Sequence, residues 1–304
     1  MISVVGEALI DLVISPSGEI VAKLGGAPFN TARACGRLGA DVRFVGVVSD
    51  DRFGSMLAAR LVDDGVDTSA LVRVDLPTTL AAAEVDDHGT ATYRFYIDGT
   101  SAPALRVIDP AAVDGEVIFT GGLGLVLQPM ADAVEAAIDA SRPDQLVMVD
   151  VNCRPKVIAD RAGYVDRVTR VVGRADVVKA SDEDLDYLSP GADPLAAARD
   201  LLAAGPSAVL VTRGGDGVHV LVAGAETVVD VDSVGVVDTI GAGDSFAAGF
   251  LSWWVASGAG RDDTGDVDRL IAAVRAANDV AAVVVTRRGA DPPYRSELPD
   301  DWSL

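Results

Sequence analysis

Apolar residues along this chain keep two rhythms. Short, almost unbroken runs have the length and β-branched content of strands buried on both faces: "ISVV" near the start, then "DVRFVGVV", "EVIFT", "LVMVD", "DVVKA" and "AVLVT". Between them lie segments whose apolar positions recur every three or four residues. "PFNTARACGRLGA" ends at Gly39, "DRFGSMLAARLVDDG" ends near Gly65, and others run over about 129–141, 163–174 and 194–204. Apolar strands alternating with amphipathic helices predict an α/β fold with a mostly parallel, doubly wound sheet covered on both sides. The rhythm breaks twice. Residues 11–24 read as two short strands around a Pro-Ser-Gly turn, and "LAAAEVDDHGTATYRFYI" reads as a hairpin around Asp86-Asp87-His88-Gly89. Together, residues of about 11–24 and 71–100 are expected to form a small β lid within one domain spanning 1–304.

Charge narrows the partners. With 25 Lys and Arg against 46 Asp and Glu, the formal charge is −21, so neither nucleic acid nor an anionic membrane surface is an expected partner. No apolar run reaches the roughly 18 residues that span a bilayer, and "MISVVGEALIDLV" lacks a basic leader, which predicts a cytoplasmic protein. Cys35 and Cys153 show no metal spacing and are expected in the core. His88 and His219, the two histidines, sit in turn-like or strand-like contexts that argue against a His triad or a zinc site. The tail "GADPPYRSELPDDWSL" reads as an acidic surface strap.

In doubly wound sheets, ligands bind beyond the carboxyl ends of the strands. The polar residues there are Asp11; Asp150, Asn152 and Arg154; Lys179 and Ser181 to Asp184; Thr212 to Gly217; and Asp238 to Asp244. In "DTIGAGDSF", glycines precede a helix start, so main-chain amides and the positive end of the helix dipole can converge on an anion such as a phosphoryl group. Asp244 falls in the first turn. It can cap that helix, or it can take a proton from a hydroxyl while Gly241, Ala242 and Gly243 present amides to developing charge. Residue type alone leaves both roles open.

The thirteen residues "DTIGAGDSFAAGF" resemble the C-terminal signature of the ribokinase-like (PfkB-type) carbohydrate kinases. Four further segments match in order: "GGAPFNTARACGRLGA", "DVNCRP", "KASDEDL" and "VVVTRRGA". The resemblance covers essentially the whole chain and implies a three-layer α/β/α core. It implies that Asp244 is the catalytic base and that the amides of Gly241, Ala242 and Gly243 form the anion hole. Asp11, Gly25, Gly26 and Asn30 would bind sugar, with Tyr96 of the lid and Arg154 beside them. Lys179 and Ser181 would face the phosphates of ATP, Thr212, Gly214 and Gly217 would form the turn over the nucleotide, and Asn278 would lie near the base. Asp184 would meet the water shell of Mg²⁺, and Asp238 would help hold a K⁺ ion.

Within the family, "GEALIDLV", "GGAPFN" and "KASDEDL" look most like the fructokinase and 2-keto-3-deoxygluconate kinase branches. Ile97 stands where both commonly carry Arg, which argues against an acidic sugar, although Arg94 and Arg154 offer substitutes. Ser49 replaces a usual Gly and is expected in a turn near the sugar. The resemblance thus implies ATP-dependent phosphorylation of a primary hydroxyl of a monosaccharide, fructose first and the keto-acid sugar as the alternative. A non-catalytic sugar or nucleotide sensor is a second class of reading. "TGGLGLV" at 120–126 suggests a dinucleotide enzyme, but it lacks the full G-x-G-x-x-G spacing. A homodimer through the lid is a further expectation.

Overall fold

Nine strands stand side by side in the main sheet, and each strand sends alternate side chains to opposite faces. In this computed structural model, residues 1–85, 91–299 and 302 are described. The Asp86–Gly89 turn with His88 lies outside them. The first half contains β1 (Ile2–Val5), β2 (Leu9–Ile14), β3 (Ile20–Gly25), α1 (Ala27–Arg37), β4 (Val42–Ser49), α2 (Arg52–Asp63), β5 (Leu71–Val74), β6 (Leu80–Val85) and β7 (Ala91–Tyr96). Next come β8 (Val117–Gly121), α3 (Met130–Asp139), β9 (Leu146–Asp150), α4 (Arg161–Val172), β10 (Val177–Ser181), α5 (Asp182–Leu188) and α6 (Pro194–Ala203). The chain continues with β11 (Ala208–Thr212), β12 (Val218–Val222), β13 (Ala225–Val229), α7 (Ala242–Ala256) and α8 (Val267–Val285).

The sheet order is β13-β12-β11-β10-β9-β8-β1-β4-β5, parallel throughout except for β12 and β13 at one end. Val4, Phe44, Phe119, Met148 and Leu210 pack with Phe29, Phe250 and Trp254 in one core. Their strand neighbours Val5, Val45, Ile118, Val147 and Val209 pack with Met130, Val134 and Val168 in another. This two-sided burial makes the three layers, as the unbroken apolar runs predict. α7 and α8 approach closely, since a side chain at Gly249 would stand 2.9 Å from the Ala277 backbone. Part of the acidity has a local cause: Asp51, Asp160, Asp193 and Asp266 accept main-chain N–H groups as the N-caps of α2, α4, α6 and α8.

The lid is the four-stranded sheet β3-β2-β6-β7. Its boundary differs from the sequence expectation, because β5 pairs in parallel with β4 and extends the main sheet instead. The tail is anchored more firmly than a surface strap: Trp302 is buried and its Nε1 donates to the Ala276 carbonyl at 2.9 Å. Among the described residues, no helix is long and apolar enough to cross a membrane.

Candidate active site

At the carboxyl ends of the parallel strands, under the lid, lies a cavity of about 1170 Å³. Asp244 enters it from the first turn of α7, buried, with Oδ2 accepting from Asn30 Nδ2 at 2.9 Å. Burial pushes its carboxyl up to about 6, against the opposing pull of the Asn30 hydrogen bond; nearby Asp150 raises it further. Asn30 Oδ1 is buried without a partner. A buried acceptor left unpaired in a cavity wall is matched to a ligand that donates.

The turn before α7 follows from glycine. Gly241 has φ 79, and a side chain there would meet Ala290 Cβ at 2.6 Å. Ala242 N donates to the Thr239 carbonyl at 3.2 Å, so this amide is engaged within the turn, in contrast to the expected three-amide anion hole. The amides of Gly241, Gly243 and Asp244 meet no main-chain carbonyl among the described residues. Lys179 reaches the same place from β10: a side chain at Gly243 would stand 3.2 Å from its Nζ. That ammonium is buried and paired with Asp150 Oδ2 at 2.8 Å, while Asp150 Oδ1 is buried and unpartnered. Burial also raises the Asp150 carboxyl, with Lys179 opposing.

Asp184 and Ser181 line the cavity as a capping box on α5: Asp184 Oδ2 accepts from Ser181 N and Oγ, and its Oδ1 from Cys153 N at 2.6 Å. Both carboxylate oxygens therefore already serve the protein. Thr212, Gly214, Gly217 and Asn278 line the far end, where Asn278 Nδ2 donates to the Asp230 carbonyl at 3.3 Å. Asp238 lies outside the lining. Its Oδ1 accepts from Ile240 N at 3.0 Å and its Oδ2 from Gly289 N at 2.8 Å, tying the turn before α7 to the C-terminal segment.

At the lid end, Asp11 projects from β2, its carboxyl pushed up to about 6 by burial and drawn back by Arg154 and Lys23. Gly25 makes room for it, because a side chain there would come within 2.1 Å of Asp11 Oδ2. Gly26, with φ 110, faces the cavity next to it. Arg154 donates to the carbonyls of Asn152 and Cys153, and its positive charge reaches Glu7, Asp11, Asp150 and Asp244.

Several expectations for this end are corrected. Tyr96 is 52% exposed and outside the cavity lining; Tyr93 and Phe95, one residue out of phase on β7, line it instead. Arg94 shares the outward face with Tyr96 and pairs with Glu84 at 3.5 Å. Ser49 is buried at the end of β4, accepting from Asp51 N, and does not line the cavity. The "TGGLGLV" glycines follow β8 as a 3-10 turn, Gly122–Leu125, packed against Glu7, whose Oε2 accepts from Gly124 N at 3.1 Å. Glu7 itself escaped the sequence reading, although a lone acid inside the apolar run "VVGEALI" was the available signal.

A family model described as pfkB family carbohydrate kinase matches residues 1–297. A fructokinase of Rhizobium leguminosarum bv. trifolii is 35% identical over 258 residues, 83% of this chain and 79% of its own length. The solved structure of Xylella fastidiosa fructokinase with bound ATP matches with a TM-score of 0.88 and 30% identity, over 98% of this chain and 94% of that one. A double-mutant fructokinase of Vibrio cholerae O395, solved with fructose, ADP and a potassium ion, gives a TM-score of 0.81 at 27% identity, over 95% and 93%.

Proposed function

The chain belongs to the pfkB family of carbohydrate kinases and is an ATP-dependent sugar kinase; from that premise we propose that it phosphorylates a primary hydroxyl of fructose, with Asp244 as the base. The supporting observation is the juxtaposition of a buried carboxylate, an unpartnered Asn30 carbonyl and unengaged amides at the start of α7, all facing one cavity. With its carboxyl near 6, Asp244 is ionised at pH 7 and able to accept a proton.

Asp244 takes the hydroxyl proton as that oxygen forms its bond to the terminal phosphorus of ATP, and the bond to ADP breaks. Charge on the transferred phosphoryl is met by the amides of Gly241, Gly243 and Asp244 and by the positive end of α7. Preorganised donors of this kind contribute roughly 10²–10³ in rate each. Asp11 can accept from two adjacent sugar hydroxyls. Lys179, held by Asp150, places a positive charge beside the turn. The lid strands exclude water, which would otherwise compete for the phosphoryl group.

Among the described residues, no three His, Cys, Asp or Glu side chains cluster as an all-protein metal site. Mg²⁺ is commonly held by one or two carboxylates, waters and substrate phosphates. Asp150, through its unpartnered Oδ1, is better suited to face it than Asp184. Mg²⁺ would neutralise phosphate charge. For K⁺, Asp238 is the carboxylate next to the turn; a K⁺ ion there would stiffen the turn, and replacement of K⁺ by Na⁺ in the assay tests it.

The charge pattern favours a neutral sugar. Arg94 faces outward, Ile97 packs, partly buried, against the core, Lys179 is paired, and Arg154 is shared among four acids. A sugar carboxylate would compete with those acids for the Arg154 guanidinium, with Lys156 on the lining beside Tyr93 as the other cation at this end. We place the enzyme in the cytoplasm, where ATP is supplied, and infer a homodimer from Ile20 and Tyr96, exposed apolar residues on the outer lid face; light scattering tests the dimer. An ADP-release assay across neutral sugars and sugar acids tests the substrate: fructose should give the highest kcat/KM, and a preference for a sugar acid would overturn the assignment.

A further inference from the structure

α1 begins without a cap of its own. Its N-cap is Gly26, which has no side chain, and Pro28 in its first turn has no N–H to satisfy. The amide of Ala27 is instead taken by Glu7 Oε1 at 3.0 Å, from a residue 20 positions earlier. The other oxygen of Glu7 takes the amide of Gly124, 117 positions later, at 3.1 Å. The backbone is packed closely against this residue. A side chain at Gly26 would stand 2.7 Å from the Glu7 carbonyl, and one at Gly122 would stand 3.3 Å from Oε1.

Glu7 is 2% exposed, and burial pushes its carboxyl up to about 7, with its backbone hydrogen bonds and Arg154 opposing. A buried carboxylate of this kind is a poor way to gain stability alone. What it joins is two walls of the cavity: the first turn of α1, which carries Asn30 to Asp244, and the loop at 122–125 next to Asn152. We infer that Glu7 is a positioning residue for phosphoryl transfer, fixing the start of α1 so that Asn30 meets and orients Asp244. The inference rests on the reading of Asp244 as base.

Glu7→Gln preserves the shape, but its amide can accept from one of the two N–H groups while presenting N–H to the other. Expected is a fall in kcat of roughly 10-fold to 100-fold with the sugar KM changed by less than about threefold, and Glu7→Asp, shorter but charged, recovering part of kcat. The deciding experiment is a double-mutant cycle on kcat with Asn30→Ala, using whichever sugar the wild type turns over fastest. If Glu7 acts through Asn30, the E7Q loss shrinks several-fold in the N30A background; full additivity overturns the inference. Hydrogen exchange provides a readout independent of turnover: E7Q should raise exchange over 26–31 and 122–126, and unchanged exchange in both segments overturns it. A wild type that phosphorylates no sugar sinks the functional reading separately and leaves the exchange result to decide the positioning. Glu7→Asp carries the same tests where E7Q does not fold.

Discussion

Three carboxylates of the cavity wall, Glu7, Asp11 and Asp244, and two outside it, Glu135 and Glu297, shift in opposite directions. Glu7, Asp11 and Asp244 are raised, to about 7, 6 and 6, because burial removes water faster than partners replace it. Glu135 is lowered by hydrogen bonds from Arg170 and Arg167, and Glu297 by the amide of Tyr294 and by Arg287. The difference lies in what completes each group. Outer acids are completed by charged partners in reach of water; in the cavity Glu7 is held by two main-chain amides, whereas Asp11 and Asp244 keep carboxylate oxygens for hydroxyls and phosphates to complete, which is the arrangement expected of a site that must exchange protons.

The sharpest break in that comparison is Asp244→Asn. The amide keeps the shape and can still accept from Asn30, but it has no basic lone pair. Turnover should fall by on the order of a thousandfold while fructose affinity, measured by calorimetry, stays within about threefold. Near-normal turnover would return Asp244 to the class of ordinary first-turn acids. Asp11→Asn should act on binding instead. Replacing charge-assisted hydrogen bonds, worth about 1.5–3 kcal/mol, by neutral ones raises the fructose KM by roughly 10-fold to 100-fold, with kcat changed far less. Equal losses in kcat for both variants would erase the distinction between base and sugar anchor.

Acidification separates the two sets without mutation. Glu7 has a folded value of about 7 against an ordinary 4.5, so between those values the folded protein holds more protons than the unfolded chain. Stability therefore rises as pH falls through that window, and Asp11 and Asp244 add the same sign between about 6 and 3.8. The lowered acids Glu135 and Glu297 contribute stability that is lost only at lower pH, as they protonate. Between pH 7.5 and 5.5 the thermal midpoint should rise, while log kcat/KM bends downward from about 7, where Glu7 protonates, and falls more steeply than tenfold per pH unit below 6, where Asp11 and Asp244 both protonate. Asp244→Asn should flatten part of the stability slope. A midpoint that falls together with activity would show that the cavity acids are not held above their ordinary range.

These differences mark where sequence reading reached its limit. The parallel core was legible because apolar strands buried on both faces leave a plain signature between helices. Ser181 with an acid three positions on, Asp184, is the spacing of a capped helix start. β5 was not: "LVRV", with Val72 half exposed, reads the same as a lid strand, and its pairing with β4 decides its sheet. Tyr93 and Tyr96 differ by the phase of one strand, a property of register rather than residue type. Glu7 was hidden for another reason, since its two partners lie 20 and 117 residues away and both are backbone amides that carry no side-chain signal.

The smallest expected effect tests the other side of the comparison. Glu135 on α3 bonds Arg167 and Arg170 of α4, joining two outer helices far from the cavity lining. Arg170 is half exposed, so water and salt already screen much of the attraction. Glu135→Gln should lower the thermal midpoint by no more than about 4 °C, and less at 1 M salt, with turnover and fructose KM within twofold of wild type. The same Glu-to-Gln change at position 7 alters no surface ion pair, yet it is expected to cost far more turnover. If the two substitutions reduced kcat alike, the carboxylates would form one population, and deep burial of a carboxylate would no longer mark the site.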